Sequence, residues 1–168
     1  MGTERSGRVV VGLSDSITGL GALRVAVDEA RRRGMPLHVV RVWNTDGLWG
    51  TAGIGYVRVD QVQLTADAVV RAFGTALGVV PMDVRVVAVA VEGATAAGLV
   101  GYATRDGDLL VVGEPDRGVL RRLFGRSVAQ RCVARAVCPV LAVPPAIFAR
   151  SAHRLARQLR HDMARLGA

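Results

Sequence analysis

The sequence predicts a doubly wound α/β domain, in which a five-stranded parallel sheet carries helices on both faces. Three observations support this fold class. Short apolar runs alternate along the chain with longer segments in which apolar residues recur at helical spacing. Glycines and polar residues separate the two kinds of segment. Hydrophobic residues make up 51% of the 168 residues, which is enough to bury the core of one domain.

The first half of the chain contains two predicted strands and two predicted helices. The first apolar run ends in a Ser/Asp/Gly cluster, which is typical of a buried strand followed by a loop. Gly34 follows three arginines, a pattern that indicates the carboxyl end of a helix. The predicted elements are a strand over 8–13, a helix over 18–33, a strand over 37–43, a loop over 44–58 and a helix over 59–77.

The second half continues the alternation with shorter elements. We predict a strand over 83–91, a helix over 94–105, a strand over 108–113, a loop over 114–126, a helix over 127–136 and a strand over 138–143. Right-handed crossovers favour the Rossmann-like strand order 3-2-1-4-5. Ligands of such sheets bind beyond the carboxyl ends of the strands, where the order switches. We therefore expect the loops over 13–17 and 113–127 to form any binding site.

The net charge of +8 is a weak indication of nucleic-acid binding. All 22 basic residues are arginine, which is typical of a GC-rich genome, and no aromatic platform for bases is interleaved with them. Residues 150–168 hold five arginines against Asp162, a net +4, so this tail carries half of the excess. We expect no specific nucleic-acid partner.

The sequence also indicates where the protein is found. No run approaches the ~20 apolar residues that span a bilayer, and residues 1–8 lack the apolar core of a signal peptide. We therefore expect a cytoplasmic protein that does not insert into membranes. Cys132 and Cys138 do not form a CxxC pair, so we expect packed, reduced thiols and no metal site.

Four segments follow one another in an order and spacing that resemble those of the universal stress protein family. They are Val11–Ser16, Val91–Gly93, Asp108–Gly113 and Ser127–Leu141. The resemblance covers residues 8–143. It implies a role in stress survival, dormancy or signalling, and a homodimer formed through the edge of the last strand.

The nucleotide-binding branch of that family carries the motif Gly-x-x-Gly-x9-Gly-Ser/Thr after its fourth strand, and an Asp-Gly-Ser-like turn after its first. The glycines matter because backbone N–H groups approach phosphate oxygens closely only where no side chain intervenes. In this chain Gly113 and Ser127 match the motif, whereas Asp116 and Arg126 replace its second and third glycines. Ser14 replaces the aspartate of the first turn.

Each of these replacements changes the expected ligand. The Asp116 carboxylate would repel a polyphosphate, and Arg126 could either hold a phosphate or pair with Asp116. We favour the pair, which would fill the space of a triphosphate. The resemblance places the apolar slot for an adenosine-type ligand beside the end of the second strand. The candidate ligand-binding residues are Leu13, Ser14, Val42, Val112, Gly113, Asp116, Arg126, Ser127 and Val128.

These observations leave two main hypotheses. The first is a dimeric binding or regulatory module with lost or altered ATP binding and no obligatory cofactor. The second is an active adenine-nucleotide binder, for ATP, AMP or cAMP, in which Arg126 and Ser127 contact the phosphates and ATP hydrolysis is at most slow. The sequence contains no Ser-His-Asp order, paired catalytic carboxylates or Walker loop, so we expect no other enzymatic activity.

The chain divides into a predicted α/β domain over 1–145 and a C-terminal segment over 146–168. Apolar residues of this segment recur at helical spacing with arginines on the other faces, which predicts a basic amphipathic helix. They are Ala152, Leu155, Ala156, Leu159, Met163 and Leu166. We expect this helix to pack on its own domain or on a dimer mate, in preference to a protein partner or anionic lipid. A scaffold role for the tail is a third hypothesis.

Overall fold

The computed structural model describes residues 7–44, 54–114 and 126–145. The elements are β1 (Val9–Gly12), α1 (Ile17–Arg33), β2 (Leu37–Trp43), α2 (Ile54–Leu77), β3 (Val86–Glu92), α3 (Thr95–Tyr102), β4 (Leu109–Gly113), α4 (Val128–Arg135) and β5 (Val140–Val143). The strands form one parallel sheet in the order β3-β2-β1-β4-β5. The predicted fold class and strand order are confirmed.

Two apolar cores lie on the two faces of the sheet. Successive side chains of a strand point to opposite faces, so Val9 and Val11 of β1 pack with α1 and α2, while Val10 packs with α3 and α4. All three valines are fully buried. β1 is thus covered on both faces, as the continuous apolar run of a central parallel strand requires.

Two predicted boundaries differ from the structure in the middle of the chain. α2 begins at Ile54, so the prediction of a loop over 44–58 is wrong for its last residues. Glycines suggested the loop, but the helix continues through Gly55 despite its low helix propensity. β3 begins at Val86 and not at Asp83; Asp83 lies before the strand and accepts two hydrogen bonds from the Arg31 guanidinium, at 2.6 and 2.9 Å.

The end of α3 also differs from the prediction, and the contacts of the buried Asp108 carboxylate explain the difference. The helix ends at Tyr102 and not near Arg105, because the Asp108 carboxylate accepts the backbone N–H of Arg105 at 3.1 Å and Gly107 turns the chain with φ of 86°. Asp108 also pairs with Arg8 at 2.7 Å, and the two side chains are 0% and 6% exposed. Burial alone would raise the pKa of Asp108, but hydrogen bonds from Arg8 and the Arg105 backbone outweigh it and lower that pKa.

The two cysteines have no disulfide bond, in agreement with the prediction of packed thiols. Cys132 is buried and Cys138 is half-buried, and burial raises the pKa of both thiols. Within the three described ranges, no helix combines the length and the apolar character needed to cross a membrane. The C-terminal segment over 146–168 lies outside the described residues, so the division into 1–145 and 146–168 stays a prediction.

Candidate functional site

The candidate site lies at the carboxyl edge of the sheet, between the ends of β1 and β4. β1 pairs with β2 on one side and with β4 on the other. The chain leaves β1 into α1, which packs on one face, whereas α3 and α4 pack on the opposite face. The helices that follow β1 and β4 thus pack on opposite faces of the sheet. Open α/β sheets bind ligands at such a switch point, beyond the carboxyl ends of the strands.

Ser14 lies at the mouth of this cleft in a hydrogen-bonded turn. Its hydroxyl donates to Ser16 Oγ at 3.0 Å and accepts the Ser16 N–H at 3.3 Å. Ser16 in turn caps α1, because its Oγ accepts the Gly19 N–H at 3.1 Å. Ser14 is therefore exposed but engaged in its own turn, and it brings no charge to the place where the family pattern has a carboxylate.

Gly113 is a glycine for a reason that does not involve a ligand. A Cβ atom added at this position would lie 2.6 Å from the Thr18 carbonyl oxygen and 3.1 Å from the Gly19 nitrogen. The first turn of α1 thus passes so close to the end of β4 that no side chain fits between them. The match of Gly113 to the phosphate motif is explained by this packing whether or not phosphate binds.

Ser127 caps α4 through a reciprocal pair of hydrogen bonds. Its Oγ accepts the Gln130 N–H at 3.1 Å, and Gln130 Oε1 accepts the Ser127 N–H at 3.2 Å. The N–H groups of Val128 and Ala129 lie in the first turn, where helix geometry provides no intrahelical acceptor. Gln130 was missed in the sequence, although Ser-x-x-Gln at a helix start is the signature of a capping box.

Arg126 is exposed and lies at the rim of an open groove of about 460 Å³. The described residues that line this groove are Glu114, Arg126, Ala129, Gln130, Val133, Ala134 and Ala142. Glu114 was also missed in the sequence, although it directly follows Gly113. Its backbone N–H donates to the Val143 carbonyl at 2.8 Å, which fixes it at the carboxyl edge. Asp116 lies outside the described residues, so its pairing with Arg126 stays a prediction.

The predicted apolar slot residues belong to both cores. Val112 is 2% exposed and packs with α3 and α4. Val42 packs on the same face, directly under α3, since a Cβ on Gly98 would lie 3.0 Å from both of its methyl carbons. Leu13 packs on the opposite face, against the core beneath α1. Their side chains are therefore used in packing, and a ligand would reach them only at the carboxyl edge.

The backbone N–H and C=O of Val42 face the cleft, whereas its side chain is used in packing. The ladder between β1 and β2 ends where Gly12 pairs with Val40, after which the Leu13 N–H donates to the Val40 carbonyl at 2.8 Å. Alternate residues of a parallel strand direct their N–H and C=O to the same neighbour. The N–H and C=O of Val42 therefore face the space beyond the end of β1, within the candidate cleft.

The cleft offers backbone hydrogen-bonding groups and neutral polar side chains. Among the residues that the structure describes, no three His, Cys, Asp or Glu side chains group together in a way that could hold a metal. The cleft brings together Ser14, Gly113 and the backbone of Val42 at the ends of three neighbouring strands. Arg126 and Ser127 lie at the start of α4, which follows β4 in the chain.

Comparisons with known proteins agree with this architecture. The model of the universal stress protein family matches residues 6–144. A universal stress protein crystallised in complex with cAMP has 24% identity and a TM-score of 0.59, over 83% of this chain and 97% of that one. UspA from Lactobacillus plantarum has 20% identity and a TM-score of 0.57, over 84% and 99%. A universal stress protein from Archaeoglobus fulgidus has 21% identity and a TM-score of 0.53, over 82% and 98%. No curated protein sequence matches the chain.

Proposed function

This chain belongs to the universal stress protein family, and we propose on that basis that it is a binding or regulatory module of a stress response with an altered nucleotide site. In this proposal the subsite for an adenosine-type group is retained, while the subsite for a triphosphate is lost. No cofactor is obligatory, and ATP hydrolysis is at most slow.

The capping box at the start of α4 is the observation that carries the proposal. A phosphate at this helix terminus would need backbone N–H groups and the Ser127 hydroxyl. The Ser127 N–H is bonded to Gln130 Oε1, whereas the Ser127 hydroxyl accepts the Gln130 N–H and keeps its own proton to donate. Arg126 adds a side chain where the family motif has a glycine. The bonded N–H is withdrawn from a phosphate, and the Arg126 side chain fills space that the glycine of the motif leaves open.

The backbone of Val42 supports retention of an adenosine subsite. One N–H donor and one C=O acceptor on a single residue match the N1 acceptor and N6 donor of adenine, which proteins read at that edge of the base. One similar structure is described as a complex with cAMP. We therefore propose that ligands with one phosphate, or with none, bind more tightly than ATP.

A second candidate function keeps the phosphate subsite. The exposed Arg126 guanidinium directly precedes Ser127, and the N–H groups of Val128 and Ala129 follow in the first helical turn. An arginine can hold a phosphate through two parallel hydrogen bonds. In this alternative the chain is an active adenine-nucleotide binder, with Arg126 in place of the glycine amides.

Calorimetry with ATP, AMP and cAMP, with and without magnesium, separates the two candidates. The first predicts that ATP binds at least about tenfold more weakly than AMP or cAMP, and that Arg126→Ala does not weaken it further. The second predicts tight ATP binding that Arg126→Ala abolishes. Arg131→Ala is the matched control, because Arg131 is an exposed arginine on α4, five residues after Arg126.

We also propose a homodimer formed through the edge of β5. In the sheet, β5 pairs with β4, and these bonds use the Pro139 and Val143 carbonyls. The same alternation directs the N–H and C=O groups of Val140 and Ala142 to the outer edge, where an antiparallel β5 of a second copy can pair with them.

Replacing Ala142 with proline tests this dimer. Proline cannot donate the outward hydrogen bond, so we expect Ala142→Pro to weaken dimerisation about tenfold, measured by sedimentation velocity. The control is Ala88→Pro, which removes an outward N–H from β3 at the other edge of the sheet. Equal dissociation of both variants, or a dimer that tolerates Ala142→Pro, would contradict an interface at β5.

A further inference from the structure

The groove beside α4 has an apolar floor that the described domain leaves open. Ala129, Val133 and Ala134 of α4 and Ala142 of β5 line it, and Val133 is 60% exposed. Helix geometry places Arg131 and Arg135 on the opposite side of α4 from Val133, so the basic residues of this helix lie away from the groove, and Arg126 precedes the helix. The apolar floor and the exposed Val133 make this groove a candidate docking surface.

The groove lies on the side of β5 that faces α4. On the other face of the sheet, Leu141 and Val143 pack into the core beneath α1. The intervening residue Ala142 points to the α4 side, where it lines the groove. A segment that follows β5 in the chain can therefore pack against the sheet in the groove beside α4.

We propose that this groove is the docking site of the chain's own C-terminal segment, residues 146–168. β5 ends at Val143, and only Pro144 separates it from Pro145, whose backbone is already helical. Proline is favoured in the first turn of a helix, so the predicted tail helix starts here. A connection of one residue holds the start of that helix against the end of β5, next to the groove.

The sequence of the segment matches the groove in length and polarity. Phe148, Ala152 and Leu155 recur at helical spacing and form an apolar stripe in its first turns. The eight residues of α4 extend about 12 Å, and eight residues from Phe148 to Leu155 would match that length if they form the predicted helix. Arginines occupy the other faces of the segment and would remain in water.

A backbone hydrogen bond fixes the point from which the segment starts. The Glu114 N–H donates to the carbonyl of Val143, which lies two residues before Pro145, so the end of β5 is held at the carboxyl edge of the sheet. The proposal does not depend on the dimer, since it uses the groove and not the outward hydrogen-bonding groups of β5.

Limited trypsin digestion of the full-length protein tests the proposal, because trypsin cleaves after arginine and the segment contains five arginines. Mass spectrometry identifies each cleavage site and measures its rate. Cleavage of a docked segment follows the population of its released form. We expect Val133→Gln and Ala134→Gln to speed cleavage after Arg150 and Arg154 about tenfold, because each places a polar amide in the apolar contact. The matched control is Val70→Gln on α2, where the side chain is 58% exposed.

Two results would overturn the proposal. One is tail cleavage at the wild-type rate in both groove variants. The other is protection of the tail that increases with protein concentration, which would mean that a second copy occupies the groove. Melting curves by circular dichroism check that each variant is folded. If Val133→Gln unfolds, Ala134→Gln decides the matter, because Ala134 is exposed on the surface of α4.

Discussion

At the carboxyl edge of the sheet, some residues are required for packing whether or not a ligand binds there. The sequence motif assigned Gly113 to phosphate contact, but the 2.6 Å approach of the Thr18 carbonyl to its added Cβ is sufficient to require a glycine. Thr18 and Gly113 are far apart in the sequence, so no local sequence pattern predicts this close contact. Arg126 and Ser14 were recognisable as departures from the family motif, because a replaced charge or glycine is visible in the sequence itself.

We expect a different residue, His38, to make the free energy of unfolding depend on pH. Its Nδ1 lies 2.7 Å from the Tyr102 hydroxyl, and burial, followed by the positive charges of Arg8 and Arg105, lowers its pKa below the ordinary value of 6.5. The unfolded chain therefore takes up a proton at this residue at a higher pH than the folded protein does. The free energy of unfolding is highest above about pH 6.5 and falls as the pH drops from there towards the lowered pKa.

Urea unfolding between about pH 5 and pH 7.5 measures this effect. We expect the loss of stability on acidification to be smaller in His38→Gln than in the wild type, because glutamine does not titrate. The value at pH 7.5 serves as the reference for any change in packing. An unchanged pH dependence in His38→Gln would show that another group is responsible.

At the scale of elements, the start of α4 carries a structural role that can be separated from ligand binding. Ser127→Ala removes the acceptor of the Gln130 N–H, so we expect it to lower the free energy of unfolding by about 1 kcal/mol. Ser127→Thr keeps the hydroxyl and should retain most of that stability. Urea titration of the three proteins measures the difference. Wild-type stability in Ser127→Ala would contradict the capping role.

The elements themselves were largely predictable, and the exceptions have local causes. Alternating periodicity placed every strand and helix of the described domain, since buried parallel strands and amphipathic helices leave different apolar patterns. The start of α2 was misplaced because glycines suggested a loop where the helix continues through Gly55. The end of α3 was misplaced because the Asp108 carboxylate that holds the Arg105 N–H acts across a turn.

At the scale of the whole molecule, the fold was predictable from the sequence, but the ligand that binds at the carboxyl edge of the sheet was not. Strand order follows from the alternation of elements and the handedness of crossovers. Whether the cleft accepts a polyphosphate depends on side-chain directions at Glu114, Arg126 and Gln130, which periodicity does not determine. Two of these three residues escaped the sequence analysis. The altered phosphate subsite is therefore the claim on which the account depends.

Calorimetric titration of ATP into the wild type and into the double variant Asp116→Gly/Arg126→Gly tests that claim most directly. The double variant restores both glycines of the family motif. We predict weak or absent ATP binding by the wild type and a gain of at least about tenfold in affinity in the double variant, since the competing side chains are gone. Tight ATP binding by the wild type that the double substitution weakens would contradict the account.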